Sequence, residues 1–172
     1  MGIFNKIGLV LLLVLTIGCK KEQQIDVVKN SLIAEGKALI KQNSTILLDS
    51  LEMHDMSPVN KDGRLKPLKV ALLDSVGINE RFSRETLKCS TFKLEESDFS
   101  NFHSPYRLNL VKKEISESQV LFVSFSNLEI KKDLANIVVM KTHGIGSATD
   151  RYYFEKQNNK WVFARKREIS RG

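Results

Sequence analysis

Cysteine is scarce in this chain: Cys19 and Cys89 are the two present among 172 residues. A disulfide-dense scaffold is therefore excluded, and the core must hold without a staple if Cys19 is otherwise engaged. Long apolar runs are also lacking. Ile7 to Ile17 is uncharged, but it falls short of the ~18 residues that a membrane-spanning helix needs. The three histidines, His54, His103 and His143, form no H-E-x-x-H or comparable ligand spacing. His54-Asp55 could give one ligand pair and has no evident third member, so no metal is expected. There is no G-x-S-x-G. Gly144 and Gly146 begin a G-x-G-x-x-G pattern, but Thr149 stands at its third position and both flanks read as strands. A phosphate cradle needs a strand followed by a helix; a tight turn is the expectation, with no cofactor. Glu95, Glu96 and Asp98 read as a solvated acidic loop, and no separated pair of carboxylates stands out for acid–base work.

What is present begins at the front. One lysine, Lys6, precedes the apolar run, which ends at Thr16-Ile17-Gly18-Cys19 and turns at once into Lys20-Lys21-Glu22-Gln23-Gln24. A short basic segment followed by an apolar core of this length has the form of a secretory signal. Thr16 to Cys19 resembles the lipobox of bacterial lipoproteins, with Thr16 where the family prefers Leu and Leu15 one step earlier. The resemblance implies cleavage before Cys19, a diacylglycerol (palmitate and its like) on the Cys19 thiol and acylation of the new amino group. Each buried methylene contributes about 0.8 kcal/mol, so one chain holds marginally and two or three hold firmly. Residues 1–18 are expected to be signal peptide, 19–24 a lipidated tether, and 25–172 a single domain. Lys20 stands where an Asp would retain a lipoprotein in the inner membrane, so the outer membrane of the cell envelope is favoured, with a periplasmic setting.

Removing residues 1–18 from 172 leaves 154, enough for one domain with a real core. The formal charge of +7 loses only Lys6 in that cut and becomes +6. Anionic head groups or polysaccharide suit such a charge in an exported protein better than nucleic acid does. The densest cluster is Arg165-Lys166-Arg167 with Lys160 and Arg171. It reads either as contact with anionic lipid or an acidic partner or as a charged strand end that discourages edge pairing. Its interleaved aromatics, Trp161 and Phe163, are expected in the core, which argues against nucleic acid.

Along the chain, Ile25, Val28, Leu32, Leu39 and Ile40 recur at helical spacing, with Gly36 as a weak point. "STILLDSLEM" (44–53) fits a continued helix or a strand. Pro58, Gly63 and Pro67 mark a loop. "LKVALLDSV" (68–76) is a second apolar element and repeats Leu-Leu-Asp-Ser. Asn79 to Leu87 reads as a short helix capped by Asn79, and 90–105 as loop with turns. From Tyr106 the period becomes two. Four runs, Gln119–Ile130, Leu134–His143, Thr149–Lys156 and Lys160–Ile169, are β-branched or aromatic and separated by turn residues. Short connectors force antiparallel neighbours. The fold class is α+β: an N-terminal helical region packed on a C-terminal antiparallel meander of about four strands. The last strand is apolar on both faces at its start, so that end is expected to be covered on both sides.

Phe125 to Lys166, "FSNLEIKKDLANIVVMKTHGIGSATDRYYFEKQNNKWVFARK", resembles the ending of a loose group of small uncharacterised bacterial lipoproteins. These close with a strand, a Lys-Asp turn, a strand, a Gly-rich hairpin, an aromatic strand and an Asn-rich turn before Lys-Trp. Relatives often carry a cysteine pair beside that hairpin; here His143 and Ser147 flank it. The resemblance is confined to the C-terminal part, supports the meander and implies no activity.

The leading expectation is a membrane-anchored, non-catalytic lipoprotein that binds a protein or envelope ligand, or supports an envelope complex; an immunity or inhibitor protein is one version. The alternative is an envelope hydrolase or transferase with a thiol site built from Cys89 and His143, where neighbouring Lys88 would favour thiolate.

Overall fold

A computed structural model describes residues 29–51, 68–79, 89–115 and 119–172. The chain divides into two compact units, Met1–Glu35 and Gly36–Gly172. The larger unit is built on a seven-stranded mixed sheet: β1 Lys69–Asn79, β2 Cys89–Lys93, β3 Leu108–Val111, β4 Val120–Lys131, β5 Leu134–His143, β6 Gly146–Gln157 and β7 Lys160–Arg171. The strand order is β2-β1-β4-β5-β6-β7, with β3 also pairing β1. Among the described residues one α-helix, α1, covers 29–47. The class is helix on sheet, with a larger sheet than the four-strand meander expected.

That meander is present as β4 to β7, each pair antiparallel. Its turns follow from local chemistry. Asn158 and Asn159 both take positive φ in the two-residue β6–β7 connection, the geometry that matches the strand twist. Gly144 does so at the β5–β6 turn. Of the extra strands, β3 lies in the alternating run from Tyr106, while β1 and β2 come from segments whose signals were weaker. "LKVALLDSV" supplies β1, whose early residues pair parallel with both β3 and β4 while its later ones pair antiparallel with β2. Residues 90–105 are not simply loop: they contain most of β2 and a 3-10 turn, Glu96–Phe99. The expected helix from Asn79 falls mostly outside the described residues, and Asn79 itself ends β1. Its side chain donates to Glu129 Oε1 at 2.7 Å.

The alternation of the strands sorts residues onto two faces. On one lie Val70, Leu72, Val76, Ile78, Leu121, Val123, Phe125, Leu128, Ile137, Val139, Tyr152 and Phe154, all buried. Leu39, Ile40, Leu47, Leu48 and Leu51 of α1 and its exit turn are buried as well. The ambiguous "STILLDSLEM" thus continues α1 as far as 47, then turns, with Ser50 in the left-handed region. Gly36 is less a weak point than a close approach, since a Cβ there would lie 2.7 Å from Leu128 Cδ2 and 3.1 Å from Phe92 Cζ. The opposite face has its own small cluster of Ala71, Val120 and Phe122, with Leu73, Val111, Ile115 and Met140 against it. Further along that face, towards β7, the sheet is open. Val162 is 41% exposed, so the start of β7 is covered on one side only, against the expectation from its doubly apolar sequence.

Candidate functional site

Strand β7 ends the sheet order, and every one of its residues except Trp161 is exposed. It is hydrogen-bonded to β6 along its length, but two register shifts interrupt the ladder. Ala164 is the extra residue between the Phe154–Phe163 and Tyr153–Arg165 pairs; Ile169 is the extra residue between Asp150–Glu168 and Thr149–Ser170. Such bulges re-aim side chains. Here they bracket Arg165-Lys166-Arg167-Glu168, so the densest charge in the sequence is split between the two faces of the β6–β7 ribbon.

Lys166 goes to the covered face, where its ammonium meets Asp49 Oδ2 at 2.8 Å. Asp49 lies just past the end of α1, in the first Leu-Leu-Asp-Ser stretch. Its Oδ1 accepts the Tyr152 hydroxyl at 2.7 Å and the Lys141 ammonium at 3.0 Å. Lys141 also donates to the Asp49 carbonyl. Lys141 is 3% exposed in its side chain, whereas Asp49 retains 34%. Burial alone would raise the Asp49 carboxyl, but the donors Lys166, Tyr152 and Lys141 outweigh it and hold the group below the usual carboxylate range. Burial lowers the Lys141 ammonium despite the opposing pull of Asp49. Burial first, and the Asp49 carboxylate second, push the Tyr152 phenol above its usual range. This cluster ties helix end to sheet, and its donors and acceptors are engaged with one another.

The open face carries the other half. Arg151 sits directly opposite Arg167, and Tyr153 opposite Arg165. The Arg165 guanidinium lies over the Tyr153 ring at 4.2 Å, a cation–π contact that fixes its direction. Arg151, Tyr153, Arg167, Glu168 and Ile169 line a cleft of about 260 Å3. The Tyr153–Arg165 stack also borders a second groove of about 570 Å3, with Glu129, Leu134, Asn136 and Glu155 along it.

The residues singled out from sequence are dispersed. Cys19 and His54 lie outside the described residues. Cys89 opens β2, opposite Asn79 at the far end of β1; its side chain is not described. His143 closes β5 at the other end of the sheet, paired with Gly146, and His103 is exposed on the loop before β3. Ile78 is level with Leu128, while β5 runs away from that level through Asn136 to His143. Seven residues of strand from Asn136 span roughly 23 Å at ~3.3 Å each, so the topology keeps Cys89 and His143 apart. The acidic stretch is not simply solvated: Asp98 is buried and caps the Glu95 N–H at 2.9 Å, and Lys37 pairs with Glu95 at 3.2 Å. Trp161 is core as expected, but Phe163 stays 36% exposed. Among the described residues no helix is long and apolar enough to cross a membrane, and no group of three potential metal ligands comes together. Comparison with protein-family models, with curated proteins and with solved structures returns no match.

Proposed function

We propose that this chain is a bacterial envelope lipoprotein, held to a membrane by acyl chains on Cys19, that works by binding rather than by catalysis and uses the open face and edge of the β6–β7 ribbon to do so. The observation that carries the binding half is the division of charge at the bulges. Lys166 is turned inward to complete a structural cluster, while Arg165 and Arg167 remain outward beside Arg151, Tyr153 and the exposed Val162 and Ile169. Arginine and tyrosine together, with scattered apolar side chains, are the composition that recognition surfaces favour. A basic edge also suits the anionic chemistry of an envelope. The anchor half rests on the sequence at Thr16 to Cys19.

Two measurements test it. Metabolic labelling with a fatty-acid analogue should mark the wild-type protein in cells, and Cys19→Ala should lose the mark and leave the membrane fraction; a label retained in that variant removes the anchor. Photo-crosslinking groups placed at Val162 and Ile169 should yield a discrete adduct in intact cells, which Arg167→Glu diminishes. If instead groups at the solvent-facing Lys41 of α1 give the adduct and the ribbon positions do not, the ribbon is not the binding surface.

A further inference from the structure

We propose that Arg151, Arg165 and Arg167, with Tyr153, form a site for one phosphate group, and that the adjoining groove takes the organic part of the molecule that carries it. This deepens the reading of the ribbon as a binding surface and rests on it, but does not depend on the anchor at Cys19.

Arg151 and Arg167 face each other across an antiparallel pair, and like charges directly opposite are destabilising. The Arg151 Nε is enclosed and makes no hydrogen bond, a cost that a buried donor normally avoids. The nearest acid in the cleft, Glu168, does not relieve it, because Glu168 is bound to Arg171 at 2.7 Å. Among the described residues no carboxylate makes an ion pair with Arg151, Arg165 or Arg167. Arg151 and Arg167 thus line one cleft of about 260 Å3, and Arg165, held over the Tyr153 ring, stands at the neighbouring groove. A tetrahedral oxyanion in the cleft would relieve the repulsion between Arg151 and Arg167 by accepting from the ends of their guanidinium groups. Guanidinium forks suit phosphate because they can bond two of its oxygens at once.

The second groove says more about the ligand. It meets the first at Tyr153, with Arg165 on its own side of that ring. Its acid Glu129 already accepts from Asn79 and Asn136, at 2.7 and 3.2 Å. Leu134, 60% exposed, gives it an apolar wall. A small polar group with some carbon skeleton fits there, so a phosphomonoester should bind more tightly than inorganic phosphate. The monoester is either a free metabolite or the head group of phosphatidic acid.

The test uses the full chain in a neutral detergent, followed by thermal melting and calorimetric titration. Millimolar inorganic phosphate should raise the wild-type melting temperature where chloride at matched ionic strength does not, and glycerol 1-phosphate should bind at least threefold more tightly than phosphate. Arg151→Gln should weaken both at least tenfold, yet melt no lower than wild type without ligand, because it removes the repulsion. Arg151→Lys keeps the charge but loses the fork and should weaken binding nearly as much. Mixed micelles containing phosphatidic acid distinguish the sources: binding there at least tenfold tighter than to glycerol 1-phosphate assigns the site to lipid, and comparable binding assigns it to a free ester. Equal shifts with chloride, no binding of any phosphate, or full binding by Arg151→Lys would each overturn the site. Ribbon crosslinks at Val162 and Ile169 would then still stand or fall on their own.

Discussion

The Tyr152 hydroxyl donates to Asp49 Oδ1 at 2.7 Å, joining residues 103 apart in the chain. The same carboxylate collects Lys141 and Lys166, so one side chain past the end of α1 fixes the helix against β5, β6 and β7. Its two lysine partners are unequal: Lys141 is enclosed, and Lys166 keeps contact with water.

That inequality predicts an asymmetry between substitutions. Asp49→Ala leaves the Lys141 ammonium enclosed without its counter-charge. Breaking a buried pair from one side costs about 3–5 kcal/mol; the partial exposure of Asp49 brings the expected loss to about 2–3 kcal/mol. Lys141→Met removes the buried charge and keeps the volume, and Asp49 retains Tyr152 and Lys166. Its expected effect is within about 1 kcal/mol of wild type. Urea denaturation of the two variants decides; equal losses would mean that the cluster is not organised around Asp49.

The cluster also shapes stability against pH. Asp49 titrates below its unfolded value, so its contribution is complete above about pH 4 and disappears as pH falls through the lower folded value. Tyr152 titrates above its unfolded value, so its contribution is complete below about pH 10 and is lost as pH rises beyond that. Lys141 titrates below its unfolded value; the unfolded chain then binds more protons on approach to about pH 10, and this group adds stability as pH rises through that window. Asp49→Asn should flatten the acid limb of a stability–pH curve, and Tyr152→Phe the alkaline limb. An acid limb unchanged in Asp49→Asn would place the acid-sensitive group elsewhere.

At Gly36 two physical effects oppose each other. Alanine in a helix interior is favoured over glycine by about 1 kcal/mol. Yet a Cβ at Gly36 would stand 2.7 Å from Leu128 Cδ2 and 3.1 Å from Phe92 Cζ. Overpacking of this kind costs about 1–3 kcal/mol, so Gly36→Ala is expected to be destabilising by about 1 kcal/mol net. Gly36→Ala combined with Leu128→Val, which makes room, should recover part of the loss. A stabilising Gly36→Ala would show that the helix stands farther from the sheet.

The meander was legible because its signals are local. Asn158-Asn159, Gly144 and the period-two runs specify turns and strands within a few residues. The alternation from Tyr106 covers β3, but β1 and β2 and the place of all three in the sheet were harder to read, because their pairing is parallel or distant, set by contacts such as Val70 with Leu108 and Leu121 that leave no short-range signature. The ribbon site was half visible. Arg165-Lys166-Arg167 stood out as charge, but which arginines share a face with Arg151 and Tyr153 depends on the bulges at Ala164 and Ile169. Neither residue carries a bulge signal of its own. Asp49 gave no signal beyond a repeated Leu-Leu-Asp-Ser. Its second copy does something different: Asp74 only approaches Lys93, at 3.8 Å.

The start of β7 is held by two side chains of α1. Gln42 Oε1 accepts the Trp161 N–H at 2.7 Å, and Asn43 Nδ2 donates to the Trp161 carbonyl at 3.0 Å and to the Leu39 carbonyl at 3.1 Å. One peptide strand position is thus gripped on both its donor and its acceptor. Asn43 is buried, so Asn43→Ala should cost about 1–3 kcal/mol by leaving the Trp161 carbonyl without its donor. Gln42→Ala should cost about 1 kcal/mol. Because both act on Trp161, their combination should depart from additivity by about 0.5 kcal/mol or more. Trp161 is the only tryptophan in the chain, so its emission reports the site directly. A red shift in Asn43→Ala under native conditions means that β7 opens at this end. An unshifted spectrum with a full loss of stability would mean that packing of the Trp161 ring alone keeps the strand in place.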